Sequence, residues 1–301
     1  MSNDSFHFDP LIHEFERKVM NTESTSMTND PFASSYSRLI ALWILRAFSE
    51  KSAMRALITP RGFCDRDISD FLGISDSDDA DPNKLRSELH SMQVKLEADK
   101  RPKLLPPHVR ANFKILKTTL ELDDREVEYL QLMLMIQYHP VMRDVHRVAE
   151  PARSRMREDR WVAQILARKT SDISRIRNSR NVVSLLSAIG GPGHHRSSLT
   201  DAIFEERLSV KDFLCRFGVI EAEDPDLDFD AFSHLGDEIE MLRDYLLTAS
   251  KGGQRGVNVL IYGPPGTGKT QFARLIGRKL GFKPHETMTE DSDGDPLSRH
   301  S

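Results

Sequence analysis

The sequence predicts a mainly α amino-terminal domain followed by a truncated α/β unit, on three observations. Between residues 37 and 189 apolar residues recur at spacings of three and four, as in Leu39, Ile40, Trp43, Ile44, Ala47 and Phe48. That period puts them on one face of a helix. Between 257 and 288 the pattern becomes a β-branched apolar run, a glycine-rich turn, a helical repeat and a second short apolar run, the order of a strand–loop–helix–strand unit with a right-handed crossover. In a chain of 301 residues only 31 follow Thr270, too few for the further strands and helices of a doubly wound sheet.

Composition bounds the rest. With 39% hydrophobic residues the chain can bury cores for two folded units. A formal net charge of −4 on 29% charged residues sets up no global field toward nucleic acid or membrane. No apolar run approaches the roughly 18 residues a membrane span needs, and Met1 to Ser5 lacks the basic start and apolar core of an export signal. Cys64 and Cys215 have no C-x-x-C spacing, as in a reducing compartment. A cytoplasmic protein is expected.

In chain order, residues 1–36 are rich in Ser, Thr, Asn and Asp and are expected to form a mobile tail, with one short helical repeat over 11–20. The domain at 37–189 is expected to hold six to eight helices. Three starts are marked, by Asp81-Pro82, by Pro106-Pro107, and by Asp123-Asp124 with Glu126. Gly190-Gly191-Pro192-Gly193 then breaks the pattern. Residues 190–225 are expected to be a linker with a short helical pair, 199–206 and 210–217, followed by an acidic stretch at 221–228. Residues 226–301 form the second domain.

Its chemistry lies in Gly263-Pro264-Pro265-Gly266-Thr267-Gly268-Lys269-Thr270, which fits G-x-x-x-x-G-K-[ST] without a mismatch. The glycines let backbone N–H groups turn inward toward an anion, and Lys269 and Thr270 open a helix whose positive dipole end faces it. The flanks are those the loop requires: a strand at 257–262 before it, and Phe272, Ala273, Ile276 and Leu280 at helical spacing after it, with Gly281 as C-cap. Gly263 to Thr270 together with Gln271 are the predicted nucleotide contacts, and the Thr270 hydroxyl the predicted contact for Mg2+. A nucleotide and Mg2+ are the expected ligands of the loop.

After a hydrophobic strand this octapeptide resembles the Walker A loop of AAA-type P-loop ATPases, its two prolines setting it apart from those of GTPases and kinases. Phe232-Ser233-His234-Leu235-Gly236, followed by an amphipathic helix from Asp237 to Ala249, is similar to the lead-in by which AAA modules approach the nucleotide base. Thr289 to Pro296 resembles the segment after the second strand in some bacterial AAA ATPases with helical N-terminal regions. The resemblance covers residues 226–301. It implies ATP hydrolysis coupled to remodelling of proteins or complexes, a homo-oligomeric ring, and a protein partner reached through the helical domain. The departures count too: no apolar strand ending in Asp-Glu (Walker B), no polar sensor and no arginine finger is found after the loop. No catalytic residue is assigned. An arginine finger alone contributes about 10³ to 10⁵ in rate, so the chain, read as a piece of a longer ATPase or as a short incomplete one, is expected to bind ATP weakly and barely turn it over. Were turnover found, Glu286, Glu290 and Asp291 would be the first carboxylates to test.

Other features weigh less. His139, His146, His194 and His195 show no metal-ligand spacing, and Asp76 to Asp79 and Asp291 to Asp295 lack the glycine and closing Glu of a calcium loop. Arg143, Arg147, Arg153, Arg155, Arg157, Arg160, Arg168, Lys169, Arg175, Arg177 and Arg180 could form a basic face for phosphates. Only Trp161 interrupts them as an aromatic, and Glu150, Glu158, Asp159 and Asp172 dilute the charge. The alternative function is therefore a non-enzymatic helical interaction or regulatory module with a vestigial P-loop, nucleic acid being an admissible but not a favoured partner.

Overall fold

The computed structural model describes residues 32–74, 81–155, 158–189, 198–254 and 256–288. The tail up to residue 31, Asp76 to Asp79, the 190–197 break and everything beyond 288 lie outside them. The chain divides into two compact units, Met1–Val210 and Lys211–Ser301.

The first unit is helical: α1 (Ser35–Ala47), α2 (Lys51–Leu57), α3 (Arg66–Leu72), α4 (Pro82–Ala98), α5 (Pro107–Thr119), α6 (Asp124–Tyr138), α7 (Pro140–Val148), α8 (Glu150–Arg155), α9 (Glu158–Ile165), α10 (Thr170–Arg177), α11 (Arg180–Ile189) and α12 (Ser198–Glu205). A hairpin of two-residue strands, β1 (Ile58–Thr59) and β2 (Gly62–Phe63), follows α2. The three marked starts hold. Asp123 accepts the N–H groups of Arg125 and Glu126, both at 2.8 Å, while the Glu126 carboxylate accepts from Asp123 N at 2.8 Å, a complete capping box. From Leu132 to Tyr138 every residue of α6 is buried, which marks it as the central helix. α1 packs on α4 and α9, and the indole N–H of Trp161 donates to Ala47 O at 3.2 Å.

Two expectations change here. Between 35 and 189 the described residues form eleven helices, not six to eight, because prolines open new helices after single-residue breaks, as Pro140 does after His139. And α12, expected in a linker, packs on α5 and α6. Its Ile203 and Phe204 are buried, Phe204 stacking on Tyr138 at 4.4 Å. The buried Asn112 amide donates to Ile203 O (2.8 Å) and Glu206 O (2.7 Å), and its oxygen accepts from Leu208 N (3.0 Å).

The second unit contains α13 (Val210–Arg216), whose first residue closes the preceding unit, β3 (Val219–Glu221), a 3-10 helix (Phe229–Leu235), α14 (Gly236–Lys251), α15 (Lys269–Lys279) and β4 (His285–Thr287). Phe232, Phe272 and Ile276 form its core, surrounded by Phe229, Leu235, Ile239, Leu242, Ile261, Leu275 and Leu280. The strand expected at 257–262 has no ladder partner among the described residues. Ile261 packs inward, but Leu260 is 85% exposed and Tyr262 87%. A strand exists through its neighbours' hydrogen bonds, and an apolar run without them has the composition of a strand only. β4 forms within the second expected strand, yet it pairs antiparallel with β3, Ile220 opposite Glu286, instead of lying parallel to the loop-leading segment. The expected crossover unit is thus not formed, and the molecule is mostly helical.

Candidate nucleotide-binding site

The loop is shaped by its glycines. Gly263 has φ +150°, and Gly266 and Gly268 both have φ +79°, backbone that side-chain-bearing residues rarely adopt. Gly268 caps α15, whose first helical bond runs from Phe272 N to Gly268 O at 2.8 Å. The N–H groups of Lys269, Thr270 and Gln271 therefore have no carbonyl one turn back to bind. Lys269 bends over the loop, its ammonium donating to Gly263 O (3.1 Å) and Pro264 O (2.7 Å), and the Thr267 hydroxyl also donates to Pro264 O (2.9 Å). Cationic donors and orphan N–H groups at one helix end make an anion cradle.

Gly268 also lies against the lead-in. A Cβ there would sit 3.3 Å from Phe232 Cε1 and Cζ and 3.4 Å from Leu227 Cδ1. Phe232 is held edge-on to Phe272, ring centroids 5.2 Å apart. The lead-in therefore buttresses the loop's last glycine.

One flank of α15 is fastened to the acidic stretch. The Gln271 amide accepts from Asp226 N at 2.9 Å and donates to Asp226 Oδ2 at 3.1 Å. Arg274 forks onto Glu286 at 2.6 and 2.9 Å and reaches Glu223 at 3.4 Å. Arg278 donates to Ala222 O and pairs with Asp224, both at 3.1 Å. Gly277 admits Pro284, whose Cγ would lie 2.8 Å from an added Cβ.

Of the predicted site residues, Gly263 to Thr270 are brought together in the loop and first turn, with Thr270 exposed. The Gln271 side chain is committed to Asp226, so only its N–H is offered to a ligand. Glu286 is bound by Arg274, whose hydrogen bond holds its carboxyl below the usual range, and it does not stand as a free base. Glu290 and Asp291 lie outside the described residues. Asp226, Leu227, Arg274 and Arg278 were not foreseen; acidic residues at 221–228 facing arginines four apart on one helix face were the available signal.

Five members of the basic series make intramolecular pairs. Arg147 binds Asp65 (2.6 Å) and Asp144 (2.9 Å), Arg168 binds Glu128 (2.8 Å), Arg177 binds Asp159 (3.2 Å), Arg153 reaches Glu158 (3.5 Å) and lies over Trp161, and Arg160 reaches Glu50 (3.9 Å). The carboxylates of Asp65, Asp67 and Asp144 converge within 4.8 Å, and Arg147 already serves two of them. His139 is a core side chain edge-on to Tyr36 and Phe71, pushed down to about 4 by burial, and burial pushes His146 down to about 4 as well. No described helix is long and apolar enough to cross a membrane.

Comparison with known proteins agrees with the loop geometry. Residues 259–294 match the family model of the ATPase family associated with various cellular activities (AAA). The chain is 35% identical over 91 residues to the ORC1-type DNA replication protein 1 of Methanosarcina mazei, covering 30% of this chain and 20% of that protein. It is 34% identical over 86 residues to the proteasome-associated ATPase of Stackebrandtia nassauensis (24% and 13%) and 36% over 84 residues to that of Nocardia farcinica (23% and 13%). The chain spans a fifth or less of the length of these relatives. No solved structure matches it.

Proposed function

We propose, from the resemblance of residues 259–294 to the AAA ATPases, that this chain binds ATP through the Gly263 to Thr270 loop and carries a helical unit that engages a protein partner. The observation that supports it best is the cradle: three positive-φ glycines, a lysine folded over the loop, and a helix that opens with unbonded N–H groups. The α15 N–H groups hold the phosphate oxygens, and Lys269 turns from the loop carbonyls to the β and γ phosphates, exchanging neutral acceptors for charged ones. The Thr270 hydroxyl is the residue that would hold Mg2+, an ion that neutralises the β and γ oxygens when bound. Turnover needs carboxylates to order the metal and water. Glu286, the one described carboxylate of the three first in line, is held by Arg274, and hydrolysis at background is the expected outcome. Ring assembly and remodelling of a partner are what the resemblance to AAA proteins suggests.

Titration with a fluorescent ATP analogue tests this. Lys269→Ala should abolish binding, Lys279→Ala at the far end of α15 should not, and Thr270→Ala should weaken binding only with Mg2+ present. Equal binding by wild type and Lys269→Ala would exclude the loop as the site.

A further inference from the structure

The acidic stretch after β3 does more than join two elements. Its contacts run antiparallel to α15 overall: Leu227 at Gly268, Asp226 at Gln271, Glu223 at Arg274 and Ala222 at Arg278, with Asp224 crossing back to Arg278 as well. The lengths agree. Ten helical residues rise about 15 Å, a span within reach of the five residue steps from 222 to 227, which reach about 16 Å at full extension. Two kinds of bond share the work. Arg274 and Arg278 pair with Glu223 and Asp224, carboxylates whose side chains are 87% and 88% exposed, and salt screens such pairs. The contacts next to the loop are of another kind. The Gln271–Asp226 clip is itself exposed but joins the two residues by two hydrogen bonds, and Leu227 and Phe232 close on Gly268. Gly268 and Gln271 are one turn apart, so the adjacent residues Asp226 and Leu227 grip a single face of the helix start.

We infer that Asp226 and Gln271 are positioning residues for the phosphate loop, and that residues 222–227 form a splint setting the rotation of the first turn of α15. A helix advances 100° per residue. A first turn free to rotate by even part of that would swing the N–H groups of Lys269, Thr270 and Gln271 away from a shared anion. Neither side chain need touch the nucleotide. Both act through the helix they hold, and this rests on the proposed nucleotide reading.

The experiment measures affinity for the fluorescent ATP analogue in the full chain, with thermal unfolding followed in parallel. Asp226→Ala and Gln271→Ala should each weaken binding about tenfold, the effect of losing a hydrogen bond to a charged group. Asp226→Ala removes the bond to Oδ2 but keeps the Asp226 N–H bond to Gln271 Oε1, whereas Gln271→Ala removes both, so the double variant should lose no more than Gln271→Ala alone. Asp226→Asn keeps an acceptor oxygen for the Gln271 amide and should restore near-wild-type affinity, which a loss of general stability would not explain. Wild-type affinity in Asp226→Ala, or no rescue by Asp226→Asn, overturns the inference while the Lys269→Ala control leaves the nucleotide reading standing. A wild type that binds no more nucleotide than Lys269→Ala overturns the reading and the inference together.

Discussion

Alanine at Gly268 should weaken nucleotide binding more than alanine at Gly266, although both residues have the same φ of +79°. At either site a side chain must adopt the left-handed region, at a cost of about 1 to 2 kcal/mol, or roughly 5- to 30-fold in affinity if the loop relaxes out of its binding shape. At Gly266 nothing lies within 4 Å of the added Cβ, so strain is the whole effect. At Gly268 the Cβ also presses on Phe232 at 3.3 Å and Leu227 at 3.4 Å. Phe232 is 4% exposed and packed on Phe272, so its ring cannot move aside without opening the core. Gly281→Ala is the control: its φ is +75°, nothing lies within 4 Å, and it follows the far end of α15. It should cost similar stability with no loss of affinity. Titration with the ATP analogue beside urea unfolding separates the three variants. If Gly268→Ala bound like wild type, or Gly281→Ala lost as much affinity, the link between loop shape and phosphate binding would be refuted.

The helical unit supplies two further tests. His139 and His146, ordinarily near 6.5, are pushed down to about 4 by burial, so the unfolded chain takes up their protons first. Stability should be full above pH 6.5 and fall as pH drops from 6.5 toward 4; the melting temperature should follow that course, and a flat profile that His139→Gln and His146→Gln leave unchanged would contradict it. Asn112→Ala removes three hydrogen bonds that fasten the end of α12 and should cost about 2 to 4 kcal/mol, read as a lower urea midpoint; a midpoint shift equal to that of a surface alanine would show the clamp to be idle.

What could be read from the sequence was what neighbours in sequence decide. The phosphate loop is one octapeptide, and its glycines, lysine and helix start are all local. The capping box at Asp123 and Glu126 and the proline starts at Pro82 and Pro107 are local for the same reason. Val257 to Tyr262 has strand composition, but a strand is made by its partners, and the described residues supply none. The antiparallel pairing of β3 with β4 joins residues 219 and 287, and no periodicity reports a contact over that distance. α12 was misplaced because the glycine-rich break before it looked like a boundary, whereas Asn112, over ninety residues away from Ile203, decides where it docks. The Asp226–Gln271 clip pairs residues 45 apart, and only the sign of their surroundings hinted at it.

The antiparallel course of residues 222–227 along α15 also fixes how the two come apart under load. A pull on the chain from the β3 side first meets the Ala222 contact with Arg278, then Glu223 on Arg274, then Asp224 on Arg278, then Asp226 on Gln271, and Leu227 against Gly268 last. The bonds open one after another, as in a peeled tape, and each step needs only the force of a single contact. The screened ion pairs yield early and the Gln271–Asp226 clip late. Tension in this stretch is thus absorbed at the far end of the helix, and the phosphate loop feels it only after every outer fastening has opened.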